Sequence, residues 1–412
     1  MPPTARFSLR DLPREVAVLG AVAFCVALGF GIVATSLSLF AKSFGVSNLW
    51  AGSVISVFAA FRFLAAPGAG WLVNRTGERL VLASGIAIVA VSSLFAGLSQ
   101  SFWQLFVLRG VGGLGSAMFT VSAAALLLRV VEPQQRARAS SVYQAGFLFG
   151  GITGPLFGAM LTSISLRLPF FVYTATLIAA GLIGLVFLSQ SRLRAREERV
   201  GTTHSPTSLR HAVRSSAYRA AVINNFATGW GLFGLRMSLL PLFVTAGLGL
   251  GSRWVGIGLL VSALTQGALL APAGWFSDSR GRRPALLAGA TLLAVSFVLL
   301  AMIETKWFYL LAMAVFGLGS ALLGTTSTAV VGDVIGGRGG APISVFQMAS
   351  DAGAVVGPLV AGYLSDVSSY SFAFLVTAGI AGLGALAAAL MPETLQLKAS
   401  APTPSADGQP TS

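Results

Sequence analysis

Charged and reactive side chains are scarce in this sequence. Only 10% of its 412 residues are charged, against roughly 25% in a soluble domain, and 55% are hydrophobic. Such a chain cannot cover a water-facing surface with polar groups, and its hydrophobicity also excludes disorder. Its single cysteine, Cys25, excludes an internal disulfide framework. The two histidines, His204 and His211, share one polar stretch, so the sequence predicts no metal site, no cofactor and no enzyme.

Long apolar runs make up most of the chain and predict an all-α membrane protein. Because backbone groups in lipid must be hydrogen-bonded within their own segment, each run is predicted to be a membrane-spanning helix. Three polar regions flank or divide these runs: an N-terminus (1–15), a linker (191–218) and a tail (392–412) that we expect to be disordered. We number the runs spans 1 to 12, at 16–41, 49–73, 80–98, 102–128, 140–165, 169–190, 219–246, 252–277, 284–303, 307–332, 342–365 and 370–391.

Basic residues are distributed unevenly between the two sides of these spans. Twenty Lys and Arg lie on the side that holds both termini and the linker, and four lie on the other. Since basic loops stay in the cytoplasm, we expect a multi-pass plasma (inner) membrane protein with both termini cytoplasmic. The net charge of +14 is therefore assigned to loops at the lipid bilayer, and no nucleic-acid partner is expected.

The two halves of the chain repeat each other. Residues 113–117, Gly-Leu-Gly-Ser-Ala, recur at 317–321, and Gly-Pro-Leu at 154–156 recurs at 357–359. Six spans separate equivalent positions, so both halves have the same topology in the membrane. The repeat predicts that 16–190 and 219–391 form superposable six-helix bundles with a substrate site between them.

Two loops carry a glycine-rich, basic motif. The loop between spans 8 and 9 has Gly274, Asp278, Gly281, Arg282 and Arg283, and the loop between spans 2 and 3 has Gly70, Asn74, Arg75, Gly77 and Arg79. Both resemble the signature of the major facilitator superfamily. The resemblance implies twelve helices, rocker-switch alternating access and a loop that latches the halves. Asn74 and Glu78 depart from the signature, which predicts a weaker latch in the first half. The alternative is that these loops only set topology.

Spans 4 and 5 carry two further family-like patterns. Arg109 precedes Gly113 in span 4 and resembles a buried-arginine motif linked to proton transfer; the alternative is an arginine that snorkels to the membrane surface. Span 5 resembles a motif associated with antiporters, although close packing of small residues would produce the same pattern. Its residues are Gly150, Gly154, Pro155 and Gly158.

Three other charges lie deep in spans, and none is matched by a charge in the other half. They are Arg62, Arg236 and Asp351. A charge inside the bilayer is costly and usually functional, so we predict roles in substrate or proton handling. Asp351 is the candidate proton carrier, and a structural ion pair with an arginine is the alternative. Polar and aromatic candidates for the cavity wall are Gln144, Gln266, Gln347, Tyr143 and Trp230.

Together these features predict a monomeric secondary transporter that exports a small, lipophilic compound, driven by a proton gradient. An organic-anion carrier working in either direction is the first alternative, because Arg62 and Arg236 could clamp a carboxylate. A membrane scaffold that transports nothing is the second.

Overall fold

The computed structural model describes residues 13–130, 136–187, 209–302, 305–335 and 340–395, so most of the predicted N-terminus, linker and tail lies outside the described residues. Regular structure within these ranges is helical, and twelve segments are long and apolar enough to cross a membrane. The predicted all-α class is confirmed. The helices of spans 1 to 6 are Arg14–Ala34 with Leu37–Lys42, Asn48–Thr76, Glu78–Leu98, Phe102–Val130, Arg136–Ile164 and Leu168–Phe187. Span 7 begins with Ser216–Gly229, and spans 8 to 12 are Arg253–Arg280, Arg282–Met302, Lys306–Ile335, Gly340–Val367 and Tyr370–Leu390.

The predicted linker and tail carry some ordered structure at their edges. A short helix, Leu209–Arg214, precedes span 7 inside the region assigned to the linker. At the other end of the chain, the backbone N–H groups of Arg282 and Arg283 donate to the Glu393 carboxylate. The described edges of the linker and the tail thus contain a short helix and a carboxylate that is hydrogen-bonded to the start of span 9.

Glycines set the tight turns between spans 2 and 3 and between spans 8 and 9. Gly77 has φ +90° and Gly281 has φ +112°, and each is the single residue between two helices. A side chain at this φ would be strained, so glycine is required. The two turns are equivalent in the repeat, and we call the end of the molecule where they lie the basic end. The opposite end is called the far end.

Each half forms its own bundle around a tight helix pair. A Cβ at Gly154 of span 5 would lie 2.6 Å from the carbonyl oxygen of Leu28 in span 1. The equivalent Gly357 of span 11 packs against span 7, where its Cβ would lie 2.9 Å from Cα of Gly234. Both halves thus bring their first and fifth helices together at the same glycine.

Span 7, predicted as a helix over 219–246, is not α-helical throughout. After Gly229 it widens into π-helical turns over Trp230–Leu239 and again over Phe243–Gly247, separated by Leu240–Leu242. Pro241 has no N–H to donate, and the N–H of Leu240 bonds five residues back to Leu235. The predicted membrane-spanning helix is confirmed, and the π-helical widening is an addition that the sequence analysis did not predict. Such widening is frequent at functional sites.

The bundles meet in the far half of the molecule. Span 2 packs on span 11, where a Cβ at Gly52 would lie 2.6 Å from the carbonyl oxygen of Pro358. Span 5 packs on span 8, where a Cβ at Gly256 would lie 2.8 Å from the carbonyl oxygen of Pro155. Gly52 and Gly256 lie near the far ends of their helices and both prolines lie in the far halves of theirs, so the seam between the bundles is closed on that side.

Candidate functional site

A cavity of about 460 Å³ lies between the two bundles. Its wall is mainly apolar and comes from both halves, and its size suits a drug-sized molecule. The apolar wall includes Val26, Phe30, Phe119, Phe147, Ile152 and Phe233, and the polar wall includes Arg62, Arg109, Arg236, Gln266 and Tyr173.

Arg109 lies in the cavity wall and does not snorkel. The residue is only 3% exposed, and its guanidinium Cζ lies 4.4 Å from the ring centroid of Phe58 in span 2. Its Nε is buried and has no hydrogen-bond partner. The guanidinium therefore lies against an aromatic face in the cavity wall and does not extend toward the membrane surface.

Arg236 enters the same cavity from the opposite bundle. It lies in the π-helical part of span 7, is 9% exposed, and has Cζ 5.6 Å from the ring centroid of Phe316. Its Nε is also buried without a partner. Each bundle therefore contributes one buried arginine that is covered by a phenylalanine ring.

Arg62 and Asp351 form an ion pair across the seam. The guanidinium of Arg62 in span 2 donates to the carboxylate of Asp351 in span 11, and both side chains are partly exposed. Arg62 also lines the cavity. The structure thus shows the ion pair with an arginine that the sequence analysis gave as the alternative, while the role of Asp351 as a proton carrier remains a prediction.

The uncharged candidates are divided between the cavity and other surroundings. Gln266 lines the cavity, whereas Gln144 and Gln347 are exposed side chains outside the cavity wall. The indole N–H of Trp230 donates to Oγ1 of Thr377, 3.0 Å away within the second bundle. These positions do not support the proposed cavity role of Gln144, Gln347 and Trp230.

Among the tyrosines, Tyr143 lies outside the cavity wall. Tyr173 lies in the wall, and the sequence analysis did not identify it. Tyr143 packs edge-on against Phe147, with 5.2 Å between ring centroids. Tyr173 in span 6 and Phe58 in span 2 both line the cavity. An aromatic residue in an apolar run carries no signal of the face it occupies, which explains the omission of Phe58. A tyrosine hydroxyl in such a run is a weak polar signal that could have marked Tyr173.

The glycines of the span-5 motif face span 1. A Cβ at Gly150 would lie 2.6 Å from the carbonyl oxygen of Phe24, and one at Gly158 would lie 2.7 Å from that of Ile32. Pro155, in contrast, lines the cavity. In this structure the glycines allow close helix packing, which the sequence analysis gave as the alternative to an antiporter motif.

The second copy of the loop motif forms an ionic cluster. Arg282, the first residue of span 9, pairs with Asp278 at the end of span 8, across the Gly281 turn. Its Nε lies 3.1 Å from Oδ2 of Asp333 at the end of span 10. Glu393 accepts hydrogen bonds from backbone N–H groups at the start of span 9. Partial burial raises the pKa of Glu393, but these and neighbouring backbone donors outweigh it and hold the pKa below its ordinary value.

The two copies of the loop motif make one contact of the same kind. Arg79 donates to the carbonyl oxygen of Leu185 in span 6, and Arg283 donates at 2.6 Å to that of Ala389 in span 12. Arg75 lies over the ring of Trp71, at 5.3 Å. The side chain of Asn74 is outside the described residues, so the comparison with Asp278 stays a prediction.

Most of the chain, from residue 19 to residue 410, matches one family of membrane carriers. A family model for the Major Facilitator Superfamily covers residues 19–264 and 222–410. The chain belongs to this superfamily. Similar relatives include the multidrug resistance protein MdtG of Enterobacter lignolyticus (strain SCF1), 28% identical over 372 residues that cover 86% of each protein. MdtG of Salmonella typhi is 28% identical over 381 residues, which cover 89% of this chain and 92% of that protein.

Solved structures of the superfamily share the fold. A bacterial homolog of the human lysosomal transporter Spinster, inward-facing and unoccupied, aligns with TM-score 0.76 at 16% identity over 92% of this chain and 96% of its own. The human organic anion transporter MFSD10 aligns with TM-score 0.66 at 18% identity, over 91% and 99%. The protein is thus a multi-pass inner-membrane transporter of small molecules and not an enzyme.

Proposed function

We propose that this transporter exports small, largely apolar compounds, including drugs, in exchange for protons. The observation that carries the proposal is the apolar cavity between two bundles whose seam is crossed by an ionisable pair, Arg62 and Asp351. The relatives named as multidrug resistance proteins support export of drug-like molecules.

The loop charges suggest which way the cavity faces. If the twenty basic loop and tail residues are cytoplasmic, both termini are cytoplasmic and the closed far end faces outward. The structure then corresponds to an inward-facing state that loads substrate from the cytoplasm. Export requires the far seam to open and the basic end to close.

The ion pair gives a route for coupling. With Asp351 ionised, its carboxylate holds Arg62 across the seam and favours contact between spans 2 and 11. When Asp351 takes up a proton from the outer side, this attraction is lost and the carboxyl group becomes neutral. On return to the inward-facing state the proton leaves and the pair re-forms. The paired state seen here therefore corresponds to the carrier after proton release.

Transport by purified protein in liposomes tests this proposal. Under an imposed proton gradient, with dyes, antibiotics and organic acids as substrates, wild type should accumulate substrate. Asp351→Asn should lose gradient-driven accumulation but retain counterflow exchange, and Asp351→Glu should keep part of the activity. Glu15→Gln, at the start of span 1, is the matched carboxylate control and should still accumulate substrate.

Two results would contradict the proposal. If Asp351→Asn concentrates substrate as well as wild type does, Asp351 is structural and the coupling group lies elsewhere. If wild-type protein shows no flux of any compound, with or without a gradient, the scaffold alternative is favoured.

A further inference from the structure

The cavity carries positive charge that no described acid neutralises. Of its three arginines, Arg62 is paired with Asp351. In the described part of the chain, Arg109 and Arg236 have no ion pair with a carboxylate, and the cavity wall contains no Asp or Glu. Two arginines, one from each bundle, thus line one cavity without a counter-charge from any described carboxylate.

Two buried guanidinium groups without a counter-charge are energetically unfavourable unless other groups compensate their charge. Guanidinium groups remain protonated at any physiological pH, and a buried charge is normally paired. The ring faces of Phe58 and Phe316 supply part of the compensation. Each Nε is buried without a partner, although both side chains border open cavity space. Because both arginines line the cavity, an anion that enters it lies close to two positive charges that no described carboxylate pairs.

We infer that Arg109 and Arg236 form a binding site for the acidic group of the substrate. The planar guanidinium fork matches the two oxygens of a carboxylate, or of a similar oxyanion, in a bidentate geometry. Most of the remaining wall is apolar and fits a hydrophobic body. The substrate class is therefore amphiphilic organic anions.

The same charges discriminate against a competing class of compound. Lipophilic cations suit an apolar cavity, but two fixed positive charges in its wall repel them. This inference names the substrate class of the proposed export function and rests on it, while the binding site itself can be measured without transport.

Equilibrium binding to full-length protein in lipid nanodiscs tests the site. Pyrenebutyrate and pyrenebutanol share one apolar body and differ in charge, and pyrene fluorescence reports both. Wild type should bind the carboxylate at least about tenfold more tightly than the alcohol. A lipophilic cation, tetraphenylphosphonium, should not displace either probe.

Single substitutions should act on the charged probe alone. Arg109→Gln and Arg236→Gln should each reduce the preference for pyrenebutyrate, and the double variant should abolish it. Binding of pyrenebutanol should persist, which also reports that the variants are folded. Arg109→Lys should retain part of the preference, because it keeps the charge without the fork. Arg253→Gln, an exposed arginine at the start of span 8, is the matched control and should leave both affinities unchanged.

The outcomes separate this site from the transport proposal. Equal affinity of wild type for the two pyrene probes, or equal loss of both in the arginine variants, would overturn the anion site. Chloride binding that depends on both arginines, without a preference for pyrenebutyrate, would also overturn the assignment of substrate class. A clear preference in protein that shows no flux in liposomes would support the site and reject the export function.

Discussion

A carboxylate from one bundle caps a helix of the other at the far end. Oδ1 of Asp366 in span 11 lies 2.8 Å from the backbone N of Asn48, and Oδ2 lies 2.7 Å from that of Leu49. These are the first N–H groups of span 2, which have no partner within their own helix. The helix N-terminus carries partial positive charge, so a carboxylate is favoured there. Asp366 therefore stabilises the closed far end specifically.

The exposure of Asp366 determines how much its carboxylate stabilises the closed far end. Asp366 is exposed, so water can replace it when it is removed, and the net effect is that of a charged cap, about 1–2 kcal/mol. We expect Asp366→Ala to shift the equilibrium toward the state with an open far end by about 5- to 30-fold. Asp366→Asn keeps an acceptor without charge and should give an intermediate shift.

Distance measurements by electron spin resonance can detect this shift. Cys25 is the single cysteine, so Cys25→Ser gives a background in which labels are placed at will. Labels at Gln100→Cys and Thr305→Cys report the separation of the bundles at the far end. The long-distance population should increase in the order wild type, Asp366→Asn, Asp366→Ala. Identical distance distributions in all three proteins would refute the assignment of Asp366 to closure.

Two further predictions concern the loop motif and span 5. Asp278→Asn should reduce transport at normal membrane insertion, and Asn74→Ala should reduce it less, because Asp278 pairs with Arg282; greater damage from Asn74→Ala would contradict the latch assignment. Gly154→Ala should destabilise the protein by about 1–3 kcal/mol in thermal unfolding, because its Cβ meets span 1. Gly151→Ala should leave the stability unchanged, because its Cβ meets open space. Equal melting temperatures of the Gly151→Ala and Gly154→Ala proteins would show that span 1 moves to accommodate the added methyl group without loss of stability.

The sequence predicts the twelve spans well because lipid leaves little choice. An apolar run of sufficient length must satisfy its own backbone groups, and helix is the only local solution. The single-residue turns at Gly77 and Gly281 could likewise be read from the motif. The wide turns of span 7 could not, because proline is tolerated in membrane helices without widening them and the sequence around Pro241 carries no other signal for a π-helix.

The candidate site was only partly predictable. The cost of a charge in the bilayer identifies Arg109 and Arg236 from sequence alone, and both line the cavity. The pairing of Arg62 with Asp351 depends on the register of two helices from different bundles, which no local pattern encodes. Gln347 shows the same limit, since the repeat locates it along span 11 but does not specify which face of the helix it occupies.

The last prediction concerns the carboxylate after span 12. Glu393 accepts backbone hydrogen bonds at the start of span 9, and its pKa is lowered. A lowered pKa means that the cap is complete above the ordinary value of 4.5 and is lost as the pH falls through the lower folded value. Hydrogen exchange of the Arg282 and Arg283 amides, corrected for intrinsic rates, should therefore stay slow from pH 8 to pH 5 in wild type. Glu393→Gln should exchange faster throughout that range. Loss of protection in wild type between pH 7 and pH 5 would show that another group controls the start of span 9.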